Sequence, residues 1–131
     1  IVIVAHGGLA QEYLRAVQHV VGPMPNCATI SIGTECNRDS KQQEILDAAR
    51  EVDQGHGVVI VTDIFGGSPS NLSLPACKSE GRMILYGVNL PALIKLAKTR
   101  NRPIEEAVSK ACDAGRKYID GRKMSQTEPI L

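Results

Sequence analysis

The chain has 131 residues and a formal net charge of +1, from 15 lysines and arginines and 14 aspartates and glutamates. This length suits one domain with a buried core. Because basic and acidic residues are interleaved, we expect no basic surface of the kind that binds nucleic acid or docks on an anionic membrane. The apolar runs are shorter than a membrane span and no signal-peptide pattern is present, so we expect a cytoplasmic protein without membrane insertion.

Four short aliphatic runs alternate with longer stretches of helical period, which is typical of a parallel α/β sheet. The core is expected to be aliphatic, because the chain has no Trp, one Phe and three Tyr. Such a core suits a parallel sheet that is buried on both faces. The sequence therefore predicts an α/β fold, as a single domain over residues 1–131. The predicted strands are Ile1–Ala5, Ala28–Ile32, Gly57–Ile64 and Arg82–Val88.

The first two helices have clear boundary signals. Apolar residues recur at helical spacing from Leu9 to Val20, and Gly22-Pro23 then ends the first helix. Ser40, with Gln43 three residues later, has the pattern of a capping box and predicts the start of the second helix.

A third helix is predicted after Gly66-Gly67, with Ser68 as its cap and Pro69 in its first position. Pro75 lies within this segment, removes a backbone donor and clashes with the preceding turn. We therefore expect this helix to be kinked or short.

Two further helices are predicted from Pro91 and from Pro103. The helical pattern weakens from Gly115 onward. The segment "RKYIDG" has a weak strand signal and predicts one last edge strand, and residues 121–131 are expected to form a mobile tail.

His6 and Asp63 stand at or near the carboxyl ends of two predicted strands. In open α/β sheets reactive groups gather at this edge, so the two side chains meet if their strands are neighbours. A carboxylate that accepts the Nδ1–H of an imidazole fixes its tautomer and leaves Nε2 free as a nucleophile. We interpret His6 as a phosphoryl acceptor and Asp63 as the residue that orients it.

Two glycine pairs follow these residues and allow the backbone to approach a ligand closely. We expect the backbone at Gly7, Gly66, Gly67 and Ser68 to cradle the phosphoryl oxygens. The stretch "DIFGGSPSN", which begins at Asp63, lacks the Lys-Ser/Thr ending of a Walker loop and does not match the dinucleotide-binding fingerprint. The four cysteines show no C-x-x-C pair and no metal-type spacing to histidine, so the sequence predicts free thiols, no metal and no cofactor.

Three motifs, "IVIVAHGGLA", "VTDIFGGSPSN" and "YGVNLPAL", give the chain a specific resemblance to a known family. It resembles the mannose-type IIA domains of the bacterial phosphoenolpyruvate-dependent sugar phosphotransferase system. The resemblance implies that His6 takes a phosphoryl group from the phosphocarrier HPr and passes it to a IIB component. It also implies a hydrogen bond between Asp63 and the His6 imidazole.

The same resemblance implies an overall architecture. It predicts a four-stranded parallel sheet flanked by helices, and a homodimer whose subunits exchange a fifth, antiparallel edge strand. The IIB partner is expected to be a separate chain. The sugar is not defined, because a IIA domain contacts proteins rather than sugar.

Other functions are compatible with the same residues. One is a regulatory module in which phosphorylation of His6 controls the binding of another protein. Another is the phosphotransfer subunit of dihydroxyacetone kinase, which shares the fold. A third is a metal-dependent hydrolase that uses His6 and Asp63, although no Cys/His cluster supports it.

Overall fold

The aliphatic runs form a parallel sheet in the computed structural model, which describes residues 1–125. The strand order is β2-β1-β3-β4, so β1 lies between β2 and β3. Val2 of β1, for example, is in register with Ala28 on one side and with Ile60 on the other. The strands of this part of the chain are β1 (Val2–His6), β2 (Ala28–Ile32), β3 (Val58–Thr62) and β4 (Arg82–Leu85).

Five α-helices connect and cover the strands within the described residues. A 3₁₀ turn, Leu74–Cys77, follows the third helix directly. The helices are α1 (Leu9–Val21), α2 (Arg38–Val52), α3 (Ser68–Ser73), α4 (Leu90–Lys98) and α5 (Ile104–Lys117).

The sheet is buried on both faces, as the sequence predicted. Successive side chains of a strand point to opposite faces. Ile3 and Ala5 accordingly pack in the cluster with α1, α4 and α5, whereas Val2 and Val4 pack in the cluster with α2 and α3. The α/β architecture and the four-stranded parallel sheet are thereby confirmed.

Two strands end earlier than predicted, which changes the position of the turns that follow them. β3 ends at Thr62, so Asp63 and Ile64 already lie in the turn that follows. β4 ends at Leu85, because Gly87 has a φ of +62° that turns the chain. The Val88 N–H still donates to the Thr62 carbonyl over 3.1 Å. The chain after β4 is therefore held against the turn that carries Asp63.

The third helix is short, as expected from Pro75. α3 ends at Ser73, and the chain continues as the 3₁₀ turn that contains the proline. The predicted cap is wrong: Gly67 is the N-cap, Ser68 is the first helical residue and no side chain caps this end.

The predicted N-cap of the second helix is also wrong, by three residues. Asn37 is the N-cap, and its Oδ1 accepts a hydrogen bond of 2.9 Å from the Ser40 N–H. Asn37 precedes the helix and has extended backbone angles, as a capping residue requires. Ser40 is therefore inside the helix and serves as the donor.

The carboxyl-terminal segment differs from its prediction. Arg116 and Lys117 form the last turn of α5, where cations are favoured by the helix dipole, and residues 119–125 form no strand. The predicted edge strand "RKYIDG" is thus absent from the described part of this chain. Of the predicted tail, residues 126–131 lie outside the described residues.

All four cysteines are free, as predicted. In residues 1–125, no helix combines the length and the apolar character that crossing a membrane requires.

Candidate functional site

The His6 and Asp63 side chains meet at the carboxyl edge of the sheet. His6 is the last residue of β1, Asp63 directly follows β3, and these two strands are neighbours. Asp63 Oδ2 lies 2.8 Å from His6 Nδ1 and also accepts the His6 backbone N–H over 3.0 Å. One carboxylate oxygen therefore holds both the backbone and the ring of His6.

The Asp63 carboxylate is fully engaged and nearly buried. Its second oxygen, Oδ1, accepts the Ile64 N–H over 3.0 Å, and 7% of its side chain is exposed. Burial alone would raise the pKa of Asp63. The hydrogen bonds from the backbone and ring of His6, together with the interaction with the imidazole charge, outweigh burial and lower the pKa of Asp63 below its usual value. Asp63 is thus ionised at neutral pH, and Nδ1 carries the proton it accepts.

This tautomer leaves the unprotonated ring nitrogen away from Asp63. With Nδ1 donating to Asp63, the lone pair of the neutral ring is on Nε2. Half of the His6 side chain is exposed. Nε2 makes no hydrogen bond within residues 1–125. The site can therefore present a nucleophilic nitrogen to a group that arrives from solvent.

The turn before α3 lies against the imidazole. A Cβ added to Gly67 would come within 3.3 Å of His6 Cε1 and within 3.0 Å of Ile64 Cδ1. Cε1 is bonded to both ring nitrogens, so the Gly67 backbone borders the ring at the carbon that joins Nδ1 to Nε2. Glycine permits this close approach.

The four residues predicted to cradle phosphate are not equivalent. The Gly7 N–H donates to the Ile32 carbonyl over 3.0 Å, and the Gly66 N–H donates to Ser70 Oγ over 3.1 Å. The N–H groups of Gly67 and Ser68 have no hydrogen-bond partner within residues 1–125. Only these last two N–H groups remain available to an anion.

Two residues near the site were missed by the sequence reasoning. Tyr13 of α1 donates its hydroxyl to the Val88 carbonyl over 3.2 Å. Burial raises the pKa of Tyr13, and the negative charge of Asp63 raises it further. Arg38 places Nη1 3.5 Å from Ser68 Oγ. Tyr13 lies in the apolar helical pattern between Leu9 and Val20, which by itself predicts only packing, and nothing local in the sequence indicates that Arg38 reaches Ser68.

An aromatic residue is exposed in the same turn. Phe65 is 78% exposed, and its ring contacts Tyr86 edge-on with a centroid separation of 4.9 Å. Ile64 beside it is 50% exposed. Exposed apolar side chains next to a reactive group are typical of a surface that docks proteins.

No group of three or more His, Cys, Asp or Glu side chains that could hold a metal ion occurs in residues 1–125.

Comparison with known proteins gives a consistent family match. Residues 1–112 match the family described as "PTS system fructose IIA component". The chain is 27% identical over 131 residues to the "PTS system mannose-specific EIIAB component" of Escherichia coli K12, and the match covers 98% of the chain and 41% of that relative. The chain therefore spans less than half the length of this relative.

A second relative is matched over most of its own length. The chain is 28% identical over 111 residues to the "PTS system sorbose-specific EIIA component" of Lacticaseibacillus casei, with 83% of the chain and 80% of the relative covered. Among solved structures, the fold matches the "mannose/sorbose specific IIA subunit of phosphotransferase system" from Enterococcus faecalis with a TM-score of 0.84. That match is 20% identical and covers 97% of this chain and 96% of the other.

Proposed function

The chain belongs to the mannose-type family of phosphotransferase-system IIA components, and from this premise we propose that it is a phosphohistidine carrier. In this proposal His6 accepts a phosphoryl group from HPr and passes it to a IIB component. Both partners dock from the cytoplasm at the carboxyl edge of the sheet.

The observation that carries this proposal is the 2.8 Å contact between His6 Nδ1 and Asp63 Oδ2. A lone histidine at a strand end would be explained equally well by a structural hydrogen bond. Here the carboxylate holds one ring nitrogen, while half of the side chain remains exposed with the other nitrogen unpartnered within residues 1–125. This arrangement suits a nucleophile better than a buried structural pair.

The transfer step needs no cofactor in this scheme. The Nε2 lone pair of His6 attacks the phosphorus of the donor's phosphohistidine and forms a new P–N bond. The donor's P–N bond breaks, and its electron pair returns to the donor nitrogen. Asp63 keeps Nδ1–H in place throughout and stabilises the positive character that the ring gains as it takes the phosphoryl group.

The turn before α3 supports the phosphoryl group. The Gly67 and Ser68 N–H groups are unpartnered in the described chain, and the Gly67 backbone lies beside the ring, so these groups are suited to receive the phosphoryl oxygens. Gly7 and Gly66 contribute by shaping the two turns, because their own N–H groups are already bonded.

The experiment is phosphorylation of the purified chain by phosphoenolpyruvate, enzyme I and HPr. We expect one phosphoryl group per chain, on His6, that is labile in acid and stable in base. Mass spectrometry of peptides that are prepared without acid locates the phosphoryl group. Phosphate on a serine, or no phosphate on the wild-type chain, would contradict the proposal.

A further inference from the structure

Arg38 occupies a position that is unfavourable for a cation. It is the first residue of α2, where the exposed backbone N–H groups give the helix end a partial positive charge. No carboxylate oxygen within residues 1–125 lies within 4.0 Å of its guanidinium. Departures from local electrostatic preference without a compensating partner concentrate at functional sites.

The position of Arg38 connects it to the reactive histidine. Its Nη1 lies 3.5 Å from Ser68 Oγ, a long and therefore weak hydrogen bond. The residue before Ser68 is Gly67, whose backbone borders His6 Cε1. The same two-residue segment thus borders the imidazole at Cε1, which is next to Nε2, and carries the hydroxyl that the Arg38 guanidinium contacts.

We propose that Arg38 binds the phosphoryl group carried on Nε2 of His6. This inference rests on the proposed function and adds a residue to it. A phosphorylated side chain carries about −1.5 to −2 charges at pH 7. Asp63 is a further negative charge on the opposite nitrogen of the same ring, so the phosphorylated site needs a cation. The planar guanidinium can give two parallel hydrogen bonds to phosphoryl oxygens.

The role of Arg38 in the transfer step is electrostatic. It neither gains nor loses a proton while the donor P–N bond breaks and the new P–N bond forms. It stabilises negative charge on the phosphoryl oxygens as they move from the donor to His6. The weak contact with Ser68 holds the side chain near the turn and is readily exchanged for the stronger bonds to the phosphoryl group.

The test uses three variants of the full chain. R38Q removes the charge, R38K keeps the charge but loses the planar donor pair, and R50Q is a matched control. Arg50 is on the same helix and is 68% exposed in its side chain, but it lies in the last turn of α2 beside Asp47. Thermal unfolding of all three verifies that each variant folds.

Two measurements are made on each variant. The first is the rate of phosphorylation at saturating phosphorylated HPr, taken from a concentration series that also gives the KM for HPr. We expect R38Q to slow it by roughly three- to thirtyfold, R38K to recover part of the loss and R50Q to match the wild type. The second is a ³¹P NMR titration of the phosphorylated chain. We expect the last protonation of the phosphoryl group to shift to higher pH in R38Q, because a neighbouring cation is lost.

The outcomes separate this inference from the proposed function. A folded R38Q with the wild-type rate and titration overturns the role of Arg38 alone. A raised KM for HPr with an unchanged phosphoryl titration also overturns it, because Arg38 would then contact the partner protein. If the wild-type chain takes no phosphate, the proposed function fails and this inference fails with it.

Discussion

At the scale of single residues, the proposed function depends on the contact between the Asp63 carboxylate and the His6 imidazole. In the proposed mechanism the carboxylate favours the reactive tautomer and stabilises positive charge on the ring. Asp63→Asn keeps the size but removes that charge. A charge-assisted hydrogen bond contributes about 1.5–3 kcal/mol, so we expect phosphorylation to slow roughly ten- to a hundredfold. Rapid-quench kinetics with phosphorylated HPr measure the effect.

His6→Ala is the companion variant and is expected to abolish transfer. If His6 and Asp63 were only a structural pair, both substitutions would lower the melting temperature and neither would stop transfer selectively. An Asp63→Asn chain that accepts phosphate at the wild-type rate would remove Asp63 from the mechanism.

The lowered pKa of Asp63 also predicts how stability depends on pH. A carboxyl whose pKa is lower in the folded chain than in the unfolded chain stabilises the fold when ionised. This contribution is present above the ordinary pKa of 3.8 and is lost as the pH falls through the lower, folded-state value. We expect the stability difference between wild type and Asp63→Asn to shrink below about pH 4.

Denaturant unfolding of both chains between neutral and strongly acidic pH checks this. Taking the difference cancels the titration of groups that the two chains share. A difference that stays constant across the acid range would show that Asp63 is not stabilised in its ionised form.

At the scale of elements, the turn between β3 and α3 brings the backbone to the imidazole. Gly67 has a φ of −84°, so alanine is acceptable to the backbone there. Its Cβ would nevertheless meet Ile64 at 3.0 Å and His6 Cε1 at 3.3 Å. We expect Gly67→Ala to slow phosphorylation, because the turn must move away from the ring. We expect it to change the melting temperature little.

Gly33→Ala is the matched control. It also follows a strand end, and an added Cβ would meet nothing within 4 Å. We expect it to leave the phosphorylation rate unchanged. Equal losses of rate in both variants would argue against a specific role for the Gly67 backbone.

The start of α2 gives a separate prediction about stability. Asn37→Ala removes the acceptor of the Ser40 N–H and is expected to destabilise the chain by about 1 kcal/mol, or roughly 4 °C in melting temperature. Ser40→Ala retains that N–H and is expected to change stability by less than about 0.5 kcal/mol. Calorimetry of the two variants decides between the observed cap and the one predicted from sequence.

At the scale of the whole molecule, the resemblance predicts a homodimer. In the described residues β4 pairs with β3 alone, so its other edge is open. Tyr118, Ile119 and Met124, which follow α5, are 69%, 75% and 51% exposed. We expect light scattering at micromolar concentration to give twice the chain mass, since a partner subunit would cover this edge and these side chains.

Ile119→Glu is expected to weaken that dimer. Val20→Glu is the control, because Val20 is also exposed, at 54%, but lies on α1. A wild-type chain with monomer mass, or equal effects of the two substitutions, would contradict a dimer built on the carboxyl-terminal segment.

The fold class could be predicted from the sequence because it depends on local patterns. Aliphatic runs of strand length alternate with helical periods, and this alternation is sufficient for a parallel sheet covered on both faces. The shortened α3 was also predictable, because Pro75 acts within its own helical segment. His6 and Asp63 could be singled out as candidates for the same reason, since each lies near the end of an aliphatic run.

Only the tertiary structure decided how these parts meet. The contact between His6 and Asp63 spans 57 positions in the chain and exists because β1 and β3 are neighbours in the sheet. The N–H groups of Gly7 and Gly66 donate to Ile32 and Ser70, whereas those of Gly67 and Ser68 have no partner in the described residues and could bind an anion. Strand order and hydrogen-bond partners depend on long-range packing, which no local pattern of residues encodes.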